Sequence, residues 1–529
     1  VAPTLVLGRI VCVLAALMMS AACARGTGES APPPDPALVQ TAAGQVRGAV
    51  ADDHRLFAGI PYAAAPVGPL RWQNPQPAPS WDGVRDATAF GPRCMQDLAG
   101  DLELGRQTDE DCLSLNVWTP AAQSGVRQEP KPVMVWIHGG SFVAGSSGIY
   151  DARRLASRGD IVVVTVNYRL GALGFLAHPA LGPPGAVGNY GLADQQAALH
   201  WVRDNIADFG GDPTKVTVAG ESAGAMSVCD HLVAPGSQGL FDAAIIQSGP
   251  CQAQVALPQA QTTSIEYAAG VGCADPATAA ACLRGLPVSA LRTPVWFYGI
   301  GDDRLSGPVT GTAVLPTDPV TAFADGAAAR VPVMIGTTHD EWTLFVAFQY
   351  LRGTEYSAQD YPRLLADTFG DDAADVAERY PLTRYPNVSL AYAATVTDGM
   401  FACEGERMAQ ALNRDADVFF YEFNDPKAPA PEPLRTLPFP VGASHSLELR
   451  YLFDVGDASP PDAAQQKLSE QMIDYWAAFV KTGAPEVAGA PEWPAFGAGG
   501  EVMSLQPDGS RVIGDFGQAH QCGFWAGLE

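Results

Sequence analysis

Positive charge is what this 529-residue chain has least of. Lys and Arg together number 32 against 57 Asp and Glu, a formal net charge of −25. So acidic a surface repels phosphate backbones and anionic membrane faces, so no nucleic-acid partner is expected. Metal-ligand spacing is also missing. There is no CxxC, no HExxH and no similar pattern, so neither a metal nor a cofactor is expected. The N-terminal apolar run, residues 10–19, is too short to span a bilayer as a stable helix. Internal repeats are absent, and low complexity is confined to the leader.

That leader reads as an export signal over residues 1–24. Arg9 is the only early charge, the apolar run follows, and Ala22-Cys23-Ala24 offers a small-x-small cleavage pattern. A second version of the reading is open. Ser20-Ala21-Ala22-Cys23 resembles a lipoprotein box, in which Cys23 would be lipidated and tether the protein to a membrane. A Pro-rich linker, residues 25–36, fits either version. Both place the protein outside the cytoplasm, secreted or at the cell surface, and the leader has a bacterial look. Export implies an oxidising compartment. Of ten cysteines, Cys12 and Cys23 lie in the leader. The other eight, Cys94, Cys112, Cys229, Cys251, Cys273, Cys282, Cys403 and Cys522, are an even set that can close four disulfides.

With 47% hydrophobic and 17% charged residues, the chain can bury a large core, and residues 37–529 read as a single catalytic domain. Short strand-like runs at residues 45–50 and 56–60, and a strand at 115–118, predict an antiparallel edge near the N-terminus. Continuous apolar runs at 133–137, 161–166, 216–219, 243–247, 331–336 and 418–423 suit strands covered on both faces. Helical spacing at 191–207 and 465–481 alternates with them. The pattern predicts an α/β fold, a mostly parallel central sheet flanked by helices. Insertions at about 257–331 and 342–417 lie where such folds build their pockets.

The chain is organised around residues 216–224, VTVAGESAG. A β-branched run enters Gly220-Glu221-Ser222-Ala223-Gly224, and a helix-forming stretch follows. Strand, sharp turn and helix put Ser222 at the apex, with small residues where the two elements must pack closely. A bare GxSxG is common, and Ser222 could simply cap a helix; the flanking pattern favours a nucleophile. A serine hydroxyl needs a base to take its proton, and in this arrangement the acid and then a histidine follow the serine. Four of the eight histidines precede it. His231 reads as a helix-surface residue, His520 lies in a polar tail, and His339 has no loop of its own. His445, in the small-residue segment Gly442-Ala443-Ser444-His445-Ser446, is favoured. Asp340 and Glu341, after the run at 331–336, are both candidates for the acid. The segment His138-Gly139-Gly140 after the run at 133–137 offers backbone N–H groups that, with Ala223, suit an oxyanion hole. His138 itself reads as a structural hydrogen-bonder.

These segments resemble the type-B carboxylesterases, the cholinesterase-like branch of the α/β-hydrolases. The marks include Phe57-Ala58-Gly59-Ile60-Pro61-Tyr62, Glu110-Asp111-Cys112-Leu113-Ser114-Leu115-Asn116, Asn167-Tyr168-Arg169-Leu170-Gly171, Gly188-Asn189-Tyr190-Gly191-Leu192-Ala193-Asp194-Gln195 and Phe209-Gly210-Gly211-Asp212-Pro213. The resemblance covers nearly everything after residue 37. It implies that Glu341 is the acid, that Glu221 and Ser248 support the triad, and that Cys94–Cys112, Cys273–Cys282 and Cys403–Cys522 pair. Cys229 and Cys251 are then left to each other, a bridge not common in the family. There are departures. The Cys94–Cys112 loop has no aromatic residue to cradle a quaternary ammonium, which disfavours choline esters, and it is too short for a lipase lid. Pro308-Val309-Thr310-Gly311-Thr312 replaces a common PVVDG-like segment near the acyl pocket. Trp342 replaces a usual glycine and would crowd the pocket. The expected activity is hydrolysis of short- to medium-chain or aryl carboxylic esters through an acyl-enzyme, with a small-molecule ester as partner. The alternatives are a lipase on longer chains and a non-catalytic binding protein of the same fold. An intact Ser222, Glu341 and His445 argues against the latter.

Overall fold

Eleven strands make the main sheet of this computed structural model, which describes residues 35–97, 107–121, 129–456 and 458–528. In chain order they are β1 (Ala49–Val50), β2 (His54–Pro61), β3 (Ser114–Pro120), β4 (Lys131–Ile137), β5 (Val162–Val166), β6 (Gly211–Glu221), β7 (Ala243–Gln247), β8 (Val333–Thr338), β9 (Val418–Phe423), β10 (Val502–Leu505) and β11 (Arg511–Ile513). Their spatial order is β11-β10-β9-β8-β7-β6-β4-β5-β3-β2-β1. Every pairing from β5 to β10 is parallel. The outer pairings are antiparallel at both edges. This is the α/β-hydrolase architecture, and Pro36 onward packs as one compact unit. The export signal, the linker up to residue 34 and Cys23 lie outside the described residues.

The buried strands follow from composition. Val133, Met134, Val135, Trp136 and Ile137 of β4 are all at most 1% exposed, and all five residues of β7 are buried. Parallel strands here have helices on both faces, so alternation disappears and Val, Ile and Ala fill both sides. Each fully buried Val or Ile contributes about 1.5–3 kcal/mol relative to exposure. The helix α1 (Tyr190–Asn205) turns Leu192, Leu199 and Val202 inward. Arg169 and Asp194, from two of the family-like segments, meet there as a buried bidentate pair at 2.7 Å. The long helix Ala463–Thr482 begins in a capping box between Asp462 and Gln465 and ends at left-handed Gly483. Its buried stripe is Leu468, Met472, Tyr475, Trp476 and Phe479, packed toward β4 and β6.

One expectation needs correction. Residues 45–50 are not one strand. Gln45–Arg47 joins a separate small sheet with Leu38–Gln40 and Val84–Asp86, and only Ala49–Val50 enters the main sheet. The break is at Gly48, where a Cβ would lie 2.5 Å from the Leu56 carbonyl oxygen. The C-terminal edge hairpin β10–β11 was not expected at all. Four disulfides are present: Cys94–Cys112, Cys229–Cys251, Cys273–Cys282 and Cys403–Cys522. Among the described residues no helix is long and apolar enough to cross a membrane.

The tightest packing is where β6 turns into α2 (Ala223–Val233). A Cβ on Gly224 would stand 2.0 Å from the Ile137 carbonyl oxygen, and one on Gly220 would stand 2.4 Å from the Gly224 carbonyl carbon. Gly224→Ala is expected to lose at least about 2 kcal/mol in urea unfolding, as overpacking does. Gly270→Ala, at a site with no neighbour within 4 Å, should be neutral or stabilising. Equal unfolding midpoints for the two variants would refute the packing argument.

Candidate active site

Ser222 sits between β6 and α2 with φ 57° and ψ −125°, a conformation that strains any residue carrying a Cβ. Its backbone is fixed from both sides: Ser222 N–H donates to the Gln247 carbonyl at 2.9 Å, and the Ser222 carbonyl accepts from Met226 N–H at 2.9 Å. The serine stays partly exposed while its surroundings are buried.

Glu341 lies just past the end of β8 and is fully buried. Its Oε2 is 2.5 Å from Nδ1 of His445. Its Oε1 accepts from the Thr338 amide at 2.7 Å and from Thr337 Oγ1 at 2.8 Å. Burial alone would raise the Glu341 pKa. The His445 charge, the hydrogen bond from His445 and contributions from Ser248 and Thr338 outweigh it and hold the carboxyl below its ordinary value. Ser248 is left-handed at φ 52° and buried beside this carboxylate, though its hydroxyl makes no hydrogen bond of ordinary geometry. Asp340, the other candidate acid, turns away and accepts from the Ala443 amide at 2.8 Å. It therefore braces the loop that carries His445.

The outer nitrogen of His445, Nε2, lies 3.2 Å from Oε1 of Glu221, the neighbour of Ser222. Glu221 also accepts from Ser446 Oγ. Glu341 thus holds the inner side of the ring, while Nε2, near Glu221, makes no hydrogen bond of ordinary geometry to it or to Ser222. Phe345 and Phe401 pack on the imidazole at centroid distances of 5.2 and 5.7 Å. Trp342 points inward, 1% exposed, and stacks on Phe345 at 4.1 Å while donating to Asp302 at 3.2 Å. The rings that reach His445 are thus Phe345 and Phe401, with Trp342 behind Phe345.

Gly139 and Gly140 follow β4. A Cβ at Gly139 would stand 2.9 Å from Ser222 Cβ, so only glycine lets the loop approach the serine this closely. The Gly139 amide lies beside the buried Tyr150 hydroxyl, while no acceptor among the described residues stands against the amides of Gly140 or Ala223. His138 is buried, stacks on Tyr168 at 4.4 Å and bonds through Nδ1 to the Gly139 carbonyl at 2.8 Å. Burial pulls its pKa down to about 4, so it stays neutral.

Sequence reasoning missed Glu448, a fully buried carboxyl that accepts from Gln247 Nε2 at 3.2 Å. Desolvation, then the charges of Glu221 and Glu341, raise it to about 8. A buried acid three residues after His445 was the available signal. Two histidines are placed differently from expectation. His231 is buried, not on a helix surface. It lies between Gln195 Oε1 at 2.9 Å and Ser237 Oγ at 2.8 Å, because α2 is covered on nearly every side. His520 is 3% exposed and hydrogen-bonded to two carboxylates.

Burial lowers the His445 pKa, but Glu221, Glu341 and Glu448 raise it further, to a net value of about 9. The downfield proton on its Nδ1 should therefore titrate by NMR near pH 9, above the ordinary histidine value. Glu221→Gln, which removes the largest raising charge, should move that midpoint down. An unchanged midpoint would show that Glu221 does not set it.

The profile of the Carboxylesterase family matches residues 35–525. A fumonisin B1 esterase from Sphingopyxis macrogoltabida is 36% identical over 498 residues, 90% of this chain and 87% of its own. A para-nitrobenzyl esterase from Bacillus subtilis (strain 168) is 36% identical over 494 residues, 87% of this chain and 92% of that one. The solved structure of a thermophilic PNB esterase is similar with a TM-score of 0.79 and 32% identity, covering 93% of this chain and 100% of the other.

Proposed function

The chain belongs to the carboxylesterase family and is a carboxylic ester hydrolase, and on that premise we propose that it works through an acyl-enzyme on Ser222. In its neutral form His445 takes the hydroxyl proton through Nε2 as Oγ attacks the ester carbonyl, so activity rises with pH toward the His445 midpoint. Glu341 holds the imidazole through Nδ1 and stabilises the imidazolium. The amides of Gly139, Gly140 and Ala223 receive the oxyanion. His445 then gives its proton to the departing alcohol, and water repeats the sequence to release the acid. Glu221 and Ser248 support the triad from either side. The observation that carries this reading is the buried Glu341–His445 pair at 2.5 Å beside the strained Ser222 turn.

Short- to medium-chain or aryl esters are the substrates proposed. The Cys94–Cys112 segment spans 18 positions, too few for a long lid, and a relative is a para-nitrobenzyl esterase. Export belongs to the same proposal. Four disulfides support an oxidising compartment, with Cys23 either lipidated or removed.

Hydrolysis of p-nitrophenyl acetate, butyrate and palmitate by wild type and Ser222→Ala tests both parts. Ser222→Ala should fall by about a thousandfold or more in kcat, and wild type should favour the shorter esters. Equal rates for the two proteins would remove Ser222 as nucleophile, and preference for emulsified palmitate would make the enzyme a lipase.

A further inference from the structure

Away from the elbow, one other group of ligating side chains converges among the described residues. His339 follows β8, Glu422 lies in β9, and His520 comes from the C-terminal segment. Their ligand atoms all lie within 4.8 Å of one another. Both imidazoles address one oxygen: His339 Nδ1 and His520 Nε2 are each 2.8 Å from Glu422 Oε1. The far nitrogen of His520, Nδ1, is 2.6 Å from Asp398 Oδ1. Asp398 is itself held by Tyr380, whose hydroxyl donates to Oδ2 at 2.8 Å and accepts from Trp525 Nε1 at 2.8 Å.

This outer chain is the arrangement that orients a metal-bound histidine. One ring nitrogen donates to a fixed carboxylate, which sets the tautomer and leaves the other nitrogen as a lone-pair donor. We propose that His339, Glu422 and His520 form a site for a borderline divalent cation, Zn2+ or a close first-row neighbour, with Asp398 orienting His520. Two imidazole nitrogens and one carboxylate oxygen are the donor set such ions take. Tetrahedral ligation at about 2.0–2.1 Å separates neighbouring ligand atoms by about 3.3 Å. The two 2.8 Å nitrogen–oxygen separations would open by roughly half an ångström, and the two nitrogens, within 4.8 Å of each other, would settle to the same spacing as the side chains rotate. His339 has the freedom for this. Its side chain is 41% exposed, against 4% for Glu422 and 3% for His520, so it supplies both an entry path and a wet fourth position.

Charge also favours a cation. With both imidazoles neutral, Glu422 and Asp398, with Asp340 and Glu406 nearby, present a negative setting that a divalent cation offsets. The ion would join three parts of the chain distant in sequence. His339 is two residues from Glu341, and its neighbour Asp340 braces the His445 loop. His520 lies two residues before Cys522, which is bonded to Cys403. The site would thus brace the strand end that presents Glu341. The absence of a metal motif in the sequence follows from the wide separation of these positions.

The test uses the full chain, without a polyhistidine tag, stripped by chelator and then titrated with Zn2+. One equivalent of zinc should remain after gel filtration, and the thermal midpoint should rise on reloading. His339→Ala, at the half-exposed ligand, and Glu422→Gln should each weaken zinc binding by at least about tenfold. His54→Ala, a histidine–aspartate pair elsewhere on the surface, should leave it unchanged. Co2+ should give ligand-field absorption in wild type that is lost in His339→Ala. Zinc binding no tighter in wild type than in His339→Ala, or a thermal midpoint indifferent to zinc, would overturn the proposal and leave the cluster as protonated histidines hydrogen-bonded to two carboxylates.

Discussion

Everything at the active site depends on one steric contact, the approach of the β6–α2 turn to the end of β4. Gly224 lies so close to the Ile137 carbonyl that no side chain fits between them. That closeness bends the chain through Ser222 into its unfavourable backbone conformation, which costs on the order of 1–3 kcal/mol. The strain persists because neighbouring parallel strands clamp it. Gln247 at the end of β7 takes the serine amide, and Gly139 at the end of β4 lies against the serine Cβ. Three strand ends therefore define one point, and the amides of Gly139, Gly140 and Ala223 are gathered there by the same packing.

Electrostatics adds the second layer. A single imidazole is flanked by Glu341 and Glu221, with Glu448 behind. Placing several carboxylates around one histidine in a buried site would be unstable if all were charged and none compensated. The arrangement resolves this by uneven titration. Glu341 is kept ionised by the His445 charge and then by its hydrogen bonds, whereas Glu448 is raised to about 8 by desolvation and the neighbouring carboxylates and is largely neutral near neutrality. The groups thus differ in charge state although they share a neighbourhood.

The sequence exposed much of this because the informative signals were local. The runs at 243–247 and 418–423 coincide with β7 and β9, since a strand buried on both faces writes an unbroken apolar stretch. The turn at Ser222 was visible as strand, small residues and helix. What stayed hidden depended on contacts far along the chain. Residues alone left Asp340 and Glu341 equivalent; they separate only when Asp340 meets Ala443 and Glu341 meets His445. The β10–β11 hairpin pairs a buried four-residue strand with an exposed three-residue one, each too short to stand out. His231 and His520 looked peripheral because burial by other segments leaves no trace in the residues beside them.

The ring of carboxylates around His445 also bears on what happens after bond cleavage. Ester hydrolysis makes an acid, and at neutral pH that acid ionises within reach of Glu221 and Glu341. A neutral ester carries no charge into this environment, whereas the anion it yields faces the Glu341 carboxylate, offset by His445, and then the strongly acidic surface beyond. The acidic surface therefore favours release of the acid over its retention, without altering the equilibrium of hydrolysis.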